Sequence, residues 1–321
     1  MPKLVVMPPL DDLRRRFADR LATDLPEYRI AAPATEDEAR REIADADAAY
    51  GWVPPDLLPS ATRLRWLQNP DAGPRPGYFY PALIDHPVIV CNPRGIYNDH
   101  ISQHIMMFLL ALARGLPYYV ESQRQRRWDK DARPRPALSL AEATALIVGV
   151  GGIGQETARL CAAFGMRVIG VDPRWEHEAP GIERHGPEDL DAVLPRADVV
   201  IATTPHTPET EGMWDARRFG LMKPTAFFIN IGRGKTTRLD DLTAALERGE
   251  IAGCGLDVFE IEPLPAEHRL WTLPNVLLTP HIAVKDAEDL TERRYQVLLE
   301  NARRFAAGEP LRNVVDKAAW Y

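Results

Sequence analysis

Apolar positions along the chain form two successive rhythms of short strand-like runs and helix-like spacings. In the first rhythm Leu4 to Met7, Ala46 to Val53, Leu64 to Leu67 and Val88 to Cys91 are expected as strands, and Asp11 to Leu25 as a helix. Pro54-Pro55, Pro74, Pro76 and Pro93 punctuate them as turns. A long apolar helix is predicted from Asp99 to Arg114, followed by a polar stretch. That stretch ends in the Pro-rich segment Arg133 to Pro136, the best linker candidate in the chain. The second rhythm places strands at Ala145-Val148, Val168-Val171, Val199-Ala202, Ala226-Ile229, Gly253-Val258 and Val276-Leu278, with helical patterns between them. Short apolar strands separated by helices imply a parallel sheet covered on both faces. From Asp286 onward one amphipathic helix and a tail are expected.

The totals sharpen this picture by exclusion. The chain has 321 residues, a length suited to two domains, and its 45% apolar content can fill two cores. Its most apolar run, Ile101 to Ala113, is interrupted by Ser102, Gln103 and His104, which reads as a buried helix and not a membrane span. The N-terminal apolar run is too short for a signal peptide, so a cytoplasmic address is expected. Cys91, Cys161 and Cys254 are odd in number and lie among apolar residues, as buried thiols do; no disulfide frame and no metal site is expected. With a net charge of −7 and only the short basic cluster Arg124-Gln125-Arg126-Arg127, nucleic acid is not an expected partner.

Chemistry enters at the glycines. The strand ending at Val148 runs straight into Gly149-Val150-Gly151-Gly152-Ile153-Gly154, and a helical pattern, Gln155 to Phe164, follows. This is the strand–turn–helix context of dinucleotide binding: Gly149 for the tight turn, Gly151 for close approach of a pyrophosphate, Gly154 for helix–strand packing. Asp172 closes the next strand about twenty residues on, where a carboxylate binds the adenosine ribose and repels a 2′-phosphate. NAD is therefore favoured over NADP, with Arg174, two residues further, the feature that keeps NADP open.

Three later segments each follow an apolar strand: Asn230-Ile231-Gly232-Arg233-Gly234, Asp257-Val258-Phe259-Glu260-Ile261-Glu262-Pro263 and Thr279-Pro280-His281-Ile282. In a doubly wound sheet, strand ends of this kind share one ligand-binding edge. An arginine, a carboxylate and a histidine gathered beside a nicotinamide suit reduction of a 2-keto acid. His281 supplies the proton, a neighbouring carboxylate orients the ring and favours its charged form, and Arg233 grips the substrate carboxylate.

These motifs together resemble the D-isomer-specific 2-hydroxyacid dehydrogenases, the family of glyoxylate/hydroxypyruvate reductases and phosphoglycerate dehydrogenases. The resemblance runs from about Ile96 to the C-terminus on V-G-V-G-G-I-G, T-P-H-T-P-E-T (Thr204 to Thr210), N-I-G-R-G, L-D-V-F-E-I-E-P and T-P-H-I-A. It implies Arg233 as the substrate-binding residue, His281 as acid/base, Glu262 as its partner and Asp257 near the nicotinamide carboxamide. The cofactor-binding set so implied is Gly149, Gly151, Gly152, Ile153, Gly154, Asp172, Arg174, Thr204, Pro205, Ile231, Arg233, Asp257 and His281. Substrate would meet Ala72, Gly73, Arg233 and His281. The implied fold is a Rossmann-type doubly wound sheet (101–285) inserted into a smaller flavodoxin-like α/β substrate domain (1–100 plus 286–321). Hinges near residues 100 and 285, a closing cleft and a homodimer built through the cofactor domain are implied as well.

Two stretches depart from the family pattern. In Asp71-Ala72-Gly73-Pro74-Arg75-Pro76, Pro74 has no N–H to offer a carboxylate. In Ile101-Ser102-Gln103-His104, glutamine stands where the family has glutamate. Trp52, Tyr97, His100 and Trp128 are expected in the core or an interface ahead of a pocket lining. Glu262 argues against a formate dehydrogenase, which has glutamine there. An NAD(H)-binding corepressor-like sensor and a phosphite-type dehydrogenase stay open as alternatives.

Overall fold

Runs of buried aliphatic residues pair as parallel strands in two separate sheets. The computed structural model describes residues 1–73, 77–128, 130, 135–175, 181–285 and 287–318. The chain divides into one unit made of Met1–Ile96 with Ala287–Tyr321, and a second made of Tyr97–Asp286.

In the first unit the order is β1 (Lys3–Val6), α1 (Asp12–Asp24), β2 (Arg29–Ala31), α2 (Glu36–Ile43), β3 (Ala48–Tyr50), β4 (Trp66–Gln68), α3 (Pro81–Asp85) and β5 (Ile89–Cys91). The strands pair in the order β2-β1-β3-β4-β5, all parallel, which is the flavodoxin-like arrangement. Asp11 opens α1 by accepting the Arg14 amide. Thr35 and Glu38 form a reciprocal capping box at the start of α2.

The second unit runs α4 (Asn98–Arg114), α5 (Leu116–Arg124), β6 (Thr144–Val148), α6 (Gly152–Ala163), β7 (Arg167–Val171), β8 (Ile182–His185), α7 (Leu190–Val193), β9 (Val199–Ala202), α8 (Ala216–Leu221), β10 (Phe227–Asn230), α9 (Leu239–Arg248), β11 (Gly253–Leu256) and β12 (Val276–Leu278). Its parallel sheet has the order β12-β11-β10-β9-β6-β7-β8. Read from β8 to β11 this is the Rossmann order, and β12 adds one further edge strand. One face buries Ile105, Phe108 and Leu109 of α4 with Ala158 and Cys161 of α6. The other buries Leu190, Phe219, Leu242 and Leu246 from α7, α8 and α9. Each such fully buried large side chain contributes about 1.5–3 kcal/mol.

The chain then returns to the first unit as α10 (Asp289–Ala307), whose Tyr295, Leu298, Leu299 and Ala302 pack with Leu4, Phe17, Leu21 and Trp66. Tyr295 Oη donates to Asp24 at 2.6 Å, and Asn301 Nδ2 donates to Gln68 Oε1 at 3.0 Å.

Several expectations need correction. The Pro-rich segment 133–136 is no boundary: it falls inside the second unit, where Arg135 donates to the Pro224 carbonyl and the Leu138 amide to that of Ala113. Residues 133 and 134 themselves lie outside the described residues, as do Pro74, Arg75 and Pro76. The polar stretch after Arg114 contains the helix α5. Trp52 and Trp128 are not core residues, being 43% and 90% exposed. The three cysteines are free and buried, and burial pushes the thiols of Cys91 and Cys161 up to about 12. Among the described residues no helix is long and apolar enough to cross a membrane.

Candidate active site

The glycines after β6 are small for three different reasons. Gly149 turns the chain at φ +95°, and a Cβ there would lie 2.9 Å from the Thr204 amide nitrogen. At Gly154 a Cβ would sit 2.1 Å from the Gly149 carbonyl oxygen, so helix and strand touch through backbone. Gly152 is crowded by the Asn98 side chain, 2.5 Å from where its Cβ would stand. Gly151, by contrast, faces open space, with nothing within 4 Å. It caps α6 without any side-chain hydrogen bond, so first-turn amides are left to meet an anion.

The sheet order reverses between β6 and β9, and in such sheets ligands bind beyond the strand ends at that point. Thr204, just past β9, buries a hydroxyl that has no hydrogen-bond partner; such groups are rare without a ligand or water to satisfy them. Asp172 stands just past the end of β7, its carboxylate held by the amides of Val150 (2.6 Å) and Arg174 (2.8 Å). An open glycine cap, an orphaned hydroxyl and a fixed carboxylate fit a dinucleotide. Ile153, in the first turn of α6, is half-buried; Ile231 is buried and Pro205 exposed on the loops after β10 and β9.

Asn230 at the end of β10 builds the next turn. Fully buried, it accepts from the Gly232 amide at 2.9 Å and donates to Thr237 Oγ1 at 2.9 Å. The glycines around Arg233 are forced by their neighbours. A Cβ on Gly232 would lie 2.4 Å from the Thr204 carbonyl oxygen, and one on Gly234 only 1.8 Å from that of Phe259. Arg233 is thus not a free surface turn: its loop is wedged against the loop that ends at Glu262. Desolvation lowers the pKa of its guanidinium and the charge of Glu262 opposes this; a guanidinium starts so far above neutral pH that it keeps its charge.

Glu262 is fixed by the Phe259 amide on Oε1 (2.9 Å) and meets His281 Nδ1 with Oε2 at 2.9 Å. With Nδ1 so engaged, Nε2 is the nitrogen left to exchange a proton. His281 itself has φ +54°, unusual for a residue with a Cβ. Asp257 holds this loop: its carbonyl accepts the His281 amide at 2.8 Å. Its buried carboxylate accepts Thr279 Oγ1 (2.6 Å), the Ile282 amide (2.8 Å) and the Ala283 amide (3.1 Å).

The second unit therefore brings Arg233, Glu262, His281 and Asp257 together at its strand ends, beside the glycine loop. Ala72 and Gly73 lie in the first unit on the loop after β4, where the Ala72 carbonyl accepts Asn92 Nδ2 at 3.0 Å. Sequence reasoning missed Asn230, Thr279 and Asn98. Asn230 was visible as the polar residue ending an apolar strand; Asn98 had no local signal. Among the described residues no cluster of three or more His, Cys, Asp or Glu is placed to hold a metal.

Comparison with known proteins shows the family to which the chain is related. Residues 106–283 match the family described as D-isomer specific 2-hydroxyacid dehydrogenase, NAD binding domain. The chain is 32% identical to glyoxylate/hydroxypyruvate reductase B of Citrobacter koseri, over 85% of each chain. It is 29% identical to D-3-phosphoglycerate dehydrogenase of Methanocaldococcus jannaschii, over 98% of its own length but only 60% of that protein's. In structure it resembles an NADPH-dependent glyoxylate/hydroxypyruvate reductase from Sinorhizobium meliloti in complex with NADP and sulfate. There the TM-score is 0.81 at 30% identity, with 100% of both chains covered.

Proposed function

The chain belongs to the D-isomer-specific 2-hydroxyacid dehydrogenases, and we propose that it reduces glyoxylate, hydroxypyruvate or a similarly small 2-keto acid to the D-2-hydroxy acid. The observation that carries this reading is the 2.9 Å bond between His281 Nδ1 and Glu262, on a loop wedged beside Arg233. The nicotinamide, when bound, supplies or accepts the hydride. The chain's own groups do the rest. Glu262 fixes the imidazole so that Nε2 delivers a proton to the carbonyl oxygen as hydride reaches the carbon. Arg233 grips the substrate carboxylate through its planar guanidinium and polarises the carbonyl. In the reverse direction the same Nε2 takes the hydroxyl proton.

NADH is proposed over NADPH because the Asp172 carboxylate is pinned by two amides where a 2′-phosphate would lie. The Sinorhizobium relative is named as NADPH-dependent, so the choice is a real one. The second unit is proposed as the cofactor domain, the first as the substrate domain, and two copies of the chain are proposed to associate through the second unit.

The test is absorbance-monitored oxidation of NADH and NADPH with glyoxylate, hydroxypyruvate, pyruvate, 2-ketoglutarate and phenylpyruvate. Turnover supports the reading, and the NADH-to-NADPH ratio decides the role of Asp172. Binding of NADH with no turnover on any of them would sink it in favour of a sensor. His281→Ala and Arg233→Ala are each expected to lower kcat/KM by about 100-fold or more, a far larger loss than any change in NADH affinity.

A further inference from the structure

The register of α4 on the second unit's sheet is set by a missing side chain. A Cβ on Gly255 would lie 2.7 Å from Phe108 Cγ, so the Phe108 ring fills the space above that glycine on β11. Asp257, the residue just past β11, lies two on from Gly255, and His104 and Phe108 lie one turn apart on one face of the helix. Seating Phe108 over Gly255 therefore brings His104 to Asp257. The two aromatic rings meet edge to face, 4.9 Å apart at 90°. His104 Nε2 lies 2.9 Å from Thr279 Oγ1 and 3.7 Å from Asp257 Oδ1.

Proton counting fixes the roles. The Thr279 hydroxyl has one hydrogen, and at 2.6 Å it goes to the Asp257 carboxylate, which has none to give. His104 must then carry its hydrogen on Nε2 and donate to Thr279. The side chain is 13% exposed; burial draws the imidazole's pKa below 6.5 while the charge of Asp257 opposes the shift.

We infer that His104 is a positioning residue: through Thr279 it holds Asp257, and the left-handed backbone that Asp257 supports, so that His281 is presented to substrate. The inference rests on the reading of His281 as the proton donor. A φ of +54° is sparsely populated for histidine and persists only while its surroundings dictate it. Asp257 supplies that constraint, and its hydroxyl partner is aligned by His104.

His104→Leu keeps the side chain's bulk and removes the donor. It is expected to lower kcat about tenfold, the scale of one lost hydrogen bond, with the melting temperature and NADH affinity little changed. His104→Gln, whose amide nitrogen reaches the Nε2 position, should restore most of the rate. Thr279→Val should match His104→Leu, and the double variant should be no slower than the slower single. Equal impairment of the Leu and Gln variants would mean packing alone and overturn the inference, as would additive losses in the double variant. The imidazole nitrogen shifts of His281, read by NMR in the cofactor-free protein, should move in His104→Leu and return in His104→Gln. Unmoved shifts overturn the inference whether or not any keto acid is turned over. Absence of turnover in the unaltered protein, by contrast, would strike at the keto-acid reading and leave the NMR test standing.

Discussion

Gly151 and Gly154 sit three residues apart, yet substitution should separate them. Alanine at Gly151 meets no protein atom within 4 Å, so Gly151→Ala should melt at the unaltered temperature. It should still bind NADH about tenfold or more weakly, because the methyl stands where a pyrophosphate would approach. Gly154→Ala drives a methyl into the Gly149 carbonyl and should lower stability by about 1–3 kcal/mol, read by denaturant unfolding. If Gly151→Ala binds NADH normally, the phosphate lies elsewhere. Arg233, Glu262 and His281 follow apolar runs readable as strands, so the sequence nominates them as one group, whereas Asn230, which itself ends such a run, was visible and passed over. The bonds that aim the three were not legible. Thr279 reaches Asp257 across 22 positions and His104 reaches Thr279 across 175, separations at which local spacing carries no signal. The role of Asp257 shows this best, since a strand-end aspartate looks the same whether it binds a ligand or ties down a loop.

At the scale of elements, most strands that showed as apolar runs are fully buried, while β5 and β12, at sheet edges and partly exposed, still carry a short run. β2 and β8 are edge strands with mostly exposed or half-buried residues, so they carry no run to read. The helix α2 had a readable sign, the Thr35–Glu38 capping box, in a segment too polar to draw notice. Edge strand β8 is tied down by charge. His185 bonds to Glu183 at 2.8 Å and Asp189 at 3.1 Å, and Glu183 also pairs with Arg196. The bonds to Glu183 first, and to Asp189 next, raise the His185 pKa above 6.5. The folded chain thus holds the proton more tightly than the unfolded one. The stabilisation is complete below the unfolded value and vanishes as pH rises through the folded value. His185→Gln should therefore lose more melting temperature, relative to the unaltered protein, at about pH 6 than at about pH 9. An equal loss at both would show that the imidazolium contributes nothing.

For the whole molecule, the proposed pairing of two copies has a visible candidate surface in the second unit. Leu116 and Tyr119 share a face of α5 and are 50% and 41% exposed; Met107 is 45% and Trp128 90% exposed. Tyr119 and Trp128 line one groove together. Exposed apolar side chains that share a groove, as Tyr119 and Trp128 do, mark interaction sites, so Trp128→Asp should shift the mass seen by light scattering from dimer towards monomer. A monomeric unaltered protein would end the proposal, and an unmoved dimer would relocate its interface. The sequence composition could not show this surface, because exposed tryptophan and core tryptophan read alike.

The return of α10 to the first unit has a consequence for how the protein is made. As the chain leaves the ribosome, the first five strands emerge with Phe17 and Trp66 lacking the helix that covers them. The second unit is contiguous and can mature as soon as it is translated. The first must wait until Asp289–Ala307 has been synthesised. The part made first is therefore finished last, and throughout that interval its unsealed apolar face is what chaperones and proteases on the nascent chain would find.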